Sequence, residues 1–237
     1  MNAEGAPSNA LLAHVPRTAR ARLTRRLEPV LLALGDVLYE GQPINHVYFP
    51  LDCVISLFAP LVDRLAVEVG MVGREGMVGV PLALGVRTSS VHAVVQGAGS
   101  ALRMGASSFQ RELRENAALR AAVHRYIHTL MGQHTQTAAC NAFHPIEARC
   151  ARWLSMTRDR LRSDEVNLTH AFLARMLGVR RVGVTVAAGN LQRMGLITYS
   201  RGHIAILEPQ KLAAAACECY GVANELYART FDRPLTA

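Results

Sequence analysis

Lysine is almost missing from this chain: of 26 basic residues, only Lys211 is not arginine. Arginine offers a two-pronged donor that suits phosphate and guanine, but so lopsided a ratio is better explained by coding bias. Acidic residues number 18, which leaves a formal net charge of +8. That balance admits nucleic acid or an anionic membrane surface as partner and selects neither. No run of ~18 apolar residues occurs, so a membrane span is not expected. Glu28 and Pro29 interrupt the apolar stretch after Arg26, so no signal core is expected either. The five cysteines (Cys53, Cys140, Cys150, Cys217, Cys219) are an odd number in a chain too long to need staples. They read as free thiols in a reducing cytoplasm. Nucleophile elbow, Walker loop, metal-ligand pair and kinase signature are all missing, so no enzyme and no catalytic residue is expected.

What is present is a chain of 237 residues, half of them hydrophobic, enough for one large or two small domains with a sizeable core. Residues 1–16 read as a flexible tail of small and polar side chains. Residues 17–34 set Arg17, Arg20, Arg22, Arg25 and Arg26 beside Leu23, Leu27 and Leu31, the pattern of a basic amphipathic helix stopped by Gly35. Short β-rich runs follow at 36–39, 44–49, 53–58, 66–69 and 91–95. Turns punctuate them at 40–43, 50–52, Gly73 and 97–99. Regular short strands predict an antiparallel sandwich or roll.

From Ser107 the period becomes helical, with a short helix to Glu115 and a long one from Ala117 to about Asn141. Leu119, Val123, Tyr126 and Leu130 form one stripe, and Ile127, Met131, His134 and Ala138 a second. Two stripes on one helix fit packing on its own domain and on a partner, such as a twin helix. Phe143-His144-Pro145 breaks the helix, since proline disfavours helical geometry at His144. Residues 146–162 read as the next helix.

The most informative stretch runs from Leu168 to Ile206. Thr169 is a plausible N-cap, a short helix reaches Leu177, Gly178 supplies a turn, and a second helix starts near Arg180. Leu173, Leu177, Val179, Val184, Ala187 and Leu191 can form the core between the helices. That leaves Arg180, Arg181, Val182, Thr185 and Val186 to face outward, the sequence form of a helix-turn-helix. Two β runs then flank a polar turn, a wing whose Ser200, Arg201 and His203 are expected at phosphates. Between 168 and 206 there are five arginines (Arg175, Arg180, Arg181, Arg193, Arg201) and no acid, which fits phosphate neutralisation. Thr169, Arg180, Arg181, Val182, Thr185, Val186, Ser200, Arg201 and His203 are the expected DNA contacts.

This order of parts resembles the Crp/Fnr family of bacterial transcription regulators, over roughly residues 30–210. The stretch Ala139 to Leu154, with Phe143-His144-Pro145 inside it, resembles the hinge and following helix of that family. The resemblance implies an α+β chain: a cyclic-nucleotide-binding-like β-roll (17–116), a dimerisation helix (117–142) carrying Leu119, Val123, Tyr126 and Leu130, a hinge (143–145), and a winged helix-turn-helix domain (146–237). It further implies a cytoplasmic homodimer on a near-palindromic site in double-stranded DNA, RNA polymerase as partner, no membrane, and an effector pocket in each roll. A sensor module of the same fold that works through protein partners is the alternative.

Two departures from the family pattern matter. In cyclic-nucleotide-binding members a Gly-Glu pair precedes an Arg with a neighbouring hydroxyl. Here Gly76 matches the glycine, Arg87 the phosphate-binding arginine and Thr88 the hydroxyl, but Met77 stands at the glutamate position and Glu75 is out of register. Methionine cannot accept a ribose hydroxyl proton, so cyclic AMP is not expected. A nucleotide-like effector would use Glu75, Gly76, Met77, Arg87 and Thr88, with His134 and Thr135 near its base. On the second helix Arg181 matches the family's base-reading arginine, whereas Val182 and Val186 replace a glutamate and an arginine of the cyclic AMP receptor branch. A different operator is therefore expected. No cysteine precedes Cys53, which argues against the iron–sulfur cluster of the oxygen-sensing branch. Cys217-Glu218-Cys219 is a close pair without visible thiol or histidine support. His144, His170 and His203 read as packing or phosphate contacts, so no metal site and no firm cofactor is expected.

Overall fold

The computed structural model describes residues 8–41, 43–61 and 66–232. The first seven residues of the expected tail, Gln42 of the turn expected at 40–43 and the last five residues lie outside these. The chain divides into two compact units, one of Met1–Leu57 with Met71–Leu130, the other of Phe58–Gly70 with Met131–Ala237. The division falls inside the long helix, between Leu130 and Met131.

The first unit opens with helices α1 (Ala10–Ala13) and α2 (Arg17–Thr24). Within the expected tail, Asn9 is tied down. Asn9 is buried, accepts from Leu12 N, and donates its amide to the carbonyls of Pro50 and Gly76 at 3.0 and 2.8 Å. The basic stretch is not one helix either. It stops at Thr24, and Glu28–Leu32 forms strand β1. Pro29 lacks an N–H and pushes Glu28 out of helical geometry, and Glu28 then salt-bridges Arg103 at 2.9 Å across the strand pair.

Strands β2 (Val37–Tyr39), β3 (His46–Pro50), β4 (Val54–Pro60), β5 (Ala66–Val72), β6 (His92–Gly97) and β7 (Gly99–Gly105) complete the roll. They form two sheets, ordered β1-β7-β3 and β2-β6-β4-β5. The pairs β1–β7, β3–β7 and β2–β6 are antiparallel. Phe49 and Phe109 meet edge-on with centroids 6.4 Å apart, both fully buried. Helix α3 (Ala106–Glu115) follows β7 directly. Its buried Glu112 takes Arg26 at 2.7 Å, which offsets the cost of a carboxylate out of water.

Helix α4 spans Ala117–Phe143 and α5 spans Ile146–Leu161, with Pro145 extended between them at the α5 N-cap. On α4, Leu119, Val123, Tyr126 and Leu130 are buried within the protomer. The stripe that stays open to solvent is Ala121, His124, His128, Met131, Thr135 and Ala138, at alternating three- and four-residue spacing. Leu119, Val123, Tyr126 and Leu130 thus pack within the chain; of the second expected stripe Met131 and Ala138 are exposed, while Ile127 and His134 are half-buried.

In the second unit α5 is the central rod, with Cys150, Trp153 and Leu154 buried. Around it stand β8 (Glu165–Asn167), α6 (His170–Leu177), α7 (Arg181–Arg193), β9 (Ile197–Ser200), β10 (His203–Ile206), α8 (Pro209–Ala215) and α9 (Cys219–Phe231). The three strands form an antiparallel sheet ordered β8-β10-β9. Among the described residues, no helix is long and apolar enough to cross a membrane.

Candidate nucleic-acid interface

The α6–α7 pair is built by three local devices. Thr169 caps α6, its hydroxyl accepting from Phe172 N at 3.2 Å, a bond worth about 1 kcal/mol. Gly178 ends α6 at φ +62°, where a side chain is disfavoured. Arg180 then stands extended at the N-cap of α7. Leu173, Ala174, Leu177, Val184, Ala187 and Leu191 close the core between the helices.

That packing decides what α7 shows. Arg180, Arg181, Val182, Thr185, Val186 and Gly189 are all exposed, in one stripe along the helix. Val182 is 73% and Val186 58% exposed, unusual for branched apolar side chains on a helix with ample core to fill. The Thr185 hydroxyl bonds back to Arg181 O at 3.1 Å and also meets His170 Nδ1 at 3.1 Å.

The wing turn is Arg201-Gly202, with φ of +50° and +84°. Two consecutive left-handed residues between paired Ser200 and His203 make the tight hairpin turn whose twist suits two strands. Glycine enters that region freely, whereas an arginine there costs about 1 kcal/mol. Ser200 and Arg201 are exposed, and His203 Nε2 lies 3.5 Å from Glu165. The nine residues expected at DNA are thus one helix stripe, one cap and one wing.

Sequence reasoning missed what joins these pieces. The His170 ring of α6 stacks on Tyr199 of β9, and Gln192 Oε1 of α7 accepts from Tyr199 N at 2.8 Å. Burial, and then the charge of Arg181, lower the His170 pKa below 6.5. No local pattern marks such a contact, because its partners come from three elements.

The expected effector residues are dispersed. Met77 is fully buried, and Glu75 is buried with Oε1 accepting from Gly73 N at 3.1 Å. Gly76 lies under the Tyr126 ring, which a Cβ would meet at 2.2 Å. Arg87 and Thr88 are exposed on a loop, and Thr135 is exposed with its hydroxyl bonded to Met131 O. His134 packs beside Gly70. A second grouping that the sequence hid is Cys140, His144, Cys217 and Cys219, whose ligand atoms lie within 4.8 Å of one another. The Cys217–Cys219 pair has thiol and histidine support after all, from α4 and the turn that follows it.

Residues 148–215 match the family model of the Crp-like helix-turn-helix domain. A Crp/Fnr-family transcriptional regulator from Eubacterium rectale has the same fold, with a TM-score of 0.67 at 15% identity over 86% of this chain and 96% of that one. Residues 148–215 are thus a Crp-like helix-turn-helix domain, and the chain shares the fold of solved Crp/Fnr regulators. The c-di-GMP responsive regulator CLP of Xanthomonas campestris matches with a TM-score of 0.65 at 17% identity, over 80% of this chain and 98% of that one. A CRP-family regulator from Thermus thermophilus matches with a TM-score of 0.64 at 19% identity, over 80% and 99%. No curated protein matches the chain. That shared fold has the same order of roll, long helix and winged domain.

Proposed function

We propose that this chain is a homodimeric transcription regulator that binds DNA sequence-specifically. One observation carries the reading: α7 holds Arg181, Val182, Thr185 and Val186 outward in a single stripe, beside a wing tip armed with Arg201. A side chain donating two hydrogen bonds to guanine discriminates by roughly 1–3 kcal/mol, and apolar side chains read the thymine methyl. The valines thus favour a T-containing half-site next to the base read by Arg181. Arg180 and Arg201 neutralise phosphates and set the register.

The twofold partner is expected along the open stripe of α4. Two α7 helices related by that axis would meet half-sites roughly 34–36 Å apart, one turn of duplex. A signal in the roll would shift the balance between two arrangements of the dimer, and RNA polymerase is the proposed partner of the DNA-bound form. Buried Met77 and the exposed positions of Arg87 and Thr88 speak against a cyclic-AMP-like cradle in the present arrangement.

Selection of bound duplexes from a random pool, followed by anisotropy titration over a range of salt, tests the proposal. Recovery of a near-palindrome, with an affinity that falls steeply with salt, is the expected result. Binding of no duplex in either the presence or absence of nucleotides would instead favour a sensor that works through protein partners.

A further inference from the structure

Three cysteines and a histidine, far apart in sequence, converge in the second unit. Cys140 comes from the last turn of α4, His144 from the break after it, and Cys217 and Cys219 from the entry to α9. Cys140 Sγ and Cys217 Sγ are 3.4 Å apart, and Cys219 Sγ is 3.4 Å from His144 Nδ1. Zinc bound at ~2.3 Å by sulfur and ~2.0–2.1 Å by imidazole sets its tetrahedral ligand atoms roughly 3.4–3.8 Å apart. Two donor pairs therefore already stand at the spacing of a single ion, and all four donor atoms lie within 4.8 Å of one another. All three thiols are buried and none is in a disulfide.

The surroundings fit a cation as well. His144 Nε2 meets Glu218 Oε1 at 3.0 Å. A carboxylate on one ring nitrogen fixes the tautomer and leaves the other nitrogen's lone pair for a metal. The Gln136 amide donates to Cys219 Sγ at 2.9 Å. Arg149 and Arg152 are buried beside these groups, and their hydrogen bonds go to neutral oxygens of Asn141, Leu177 and Thr137. Each keeps an unpartnered buried Nε. Three thiolates around a dication carry a net negative charge, which would balance guanidiniums that bond only to neutral oxygens among the described residues.

We propose that Cys140, His144, Cys217 and Cys219 form a closed tetrahedral site for one divalent ion of the zinc class, which clamps the end of α4 and the turn after it to the start of α9. Four protein ligands leave no open position, so the ion is structural. The set is soft and compact, which selects zinc over magnesium or calcium.

The test uses the full chain purified in reductant. Elemental analysis should find one zinc per chain, and exchange with cobalt(II) should give the visible bands of a tetrahedral ion with thiolate charge transfer in the near ultraviolet. Cys219→Ser should abolish the charge transfer contributed by that ligand and weaken the site, while Cys53→Ala leaves it intact. Should Cys219→Ser fail to fold, Glu218→Gln carries the test: it keeps every ligand and should weaken cobalt binding roughly 10–100-fold. A folded wild-type chain that holds no zinc and takes up no cobalt would overturn the proposal. So would a Cys140–Cys217 disulfide in the reduced preparation, or a cobalt spectrum and affinity unchanged in both Cys219→Ser and Glu218→Gln.

Discussion

The imidazole of His170 and the phenol ring of Tyr199 stack 4.1 Å apart, only 11° from parallel. His170 also meets the Thr185 hydroxyl at 3.1 Å, so one ring ties α6 to α7 and to the wing. An aromatic pair of this kind contributes roughly 0.5–1.5 kcal/mol. His170→Ala should destabilise the domain on that scale and loosen the wing, measured by thermal melting and hydrogen exchange at Tyr199.

Acid should act on the same ring. The His170 pKa lies below 6.5 in the folded chain, chiefly through burial, so the unfolded chain takes up the proton first as pH falls. This contribution to stability is complete above 6.5 and is lost as pH drops from there toward the folded pKa. His170→Phe retains the stack and should lose less melting temperature than wild type between pH 7.5 and 5.5. Equal losses would place the acid sensitivity elsewhere, His134 and His46 being lowered by burial too.

The two exposed arginines should separate cleanly. Arg181→Ala should cost roughly 1–3 kcal/mol on the selected site and little on scrambled DNA. Arg201→Ala should weaken both alike and reduce the salt slope by about one. Anisotropy on paired duplexes from low to moderate salt distinguishes the two patterns.

The two stripes of α4 should respond differently to substitution. Met131 is 63% exposed, whereas Leu119 is fully buried. Met131→Arg should shift sedimentation toward the monomer and cut DNA affinity, with the melting of the protomer core little changed. Leu119→Ala should cost about 2–5 kcal/mol of stability through the cavity it leaves, while the remaining folded protein still associates.

Gly76 offers a test of the packing beneath the roll. A methyl group there would meet the Tyr126 ring at 2.2 Å. Gly76→Ala should therefore cost about 1–3 kcal/mol by overpacking. Adding Tyr126→Leu should recover part of that loss in denaturant titrations, since the two sites are in contact.

Much of the second unit is legible in the sequence because its signals are local. Thr169 caps, Gly178 turns, and the α7 core positions fall at helical spacing, so the exposed stripe follows by subtraction. The N-terminal half is harder to read. Gly99–Gly105 has no β-branched or aromatic residue, and becomes a strand because β1 and β3 flank it on both sides. Glu28–Leu32 resembles the tail of a helix until Pro29 and its pairing with β7 are counted. On α4 the inward stripe is visible, but only Met131 and Ala138 of the open one are, because which side turns inward depends on Gly76 and other distant partners. Cys140 and Cys217, 77 residues apart, carry no shared pattern at all.

The bare valines of α7 bear on epigenetic marking of the DNA. Val182 and Val186 can touch a carbon-5 substituent but form no hydrogen bond that separates one pyrimidine from another. In the proposed complex, 5-methylcytosine would offer them the same methyl group as thymine. Enzymatic methylation inside a half-site would then be felt by this regulator as a change of letter, which links its occupancy to the modification state of the chromosome.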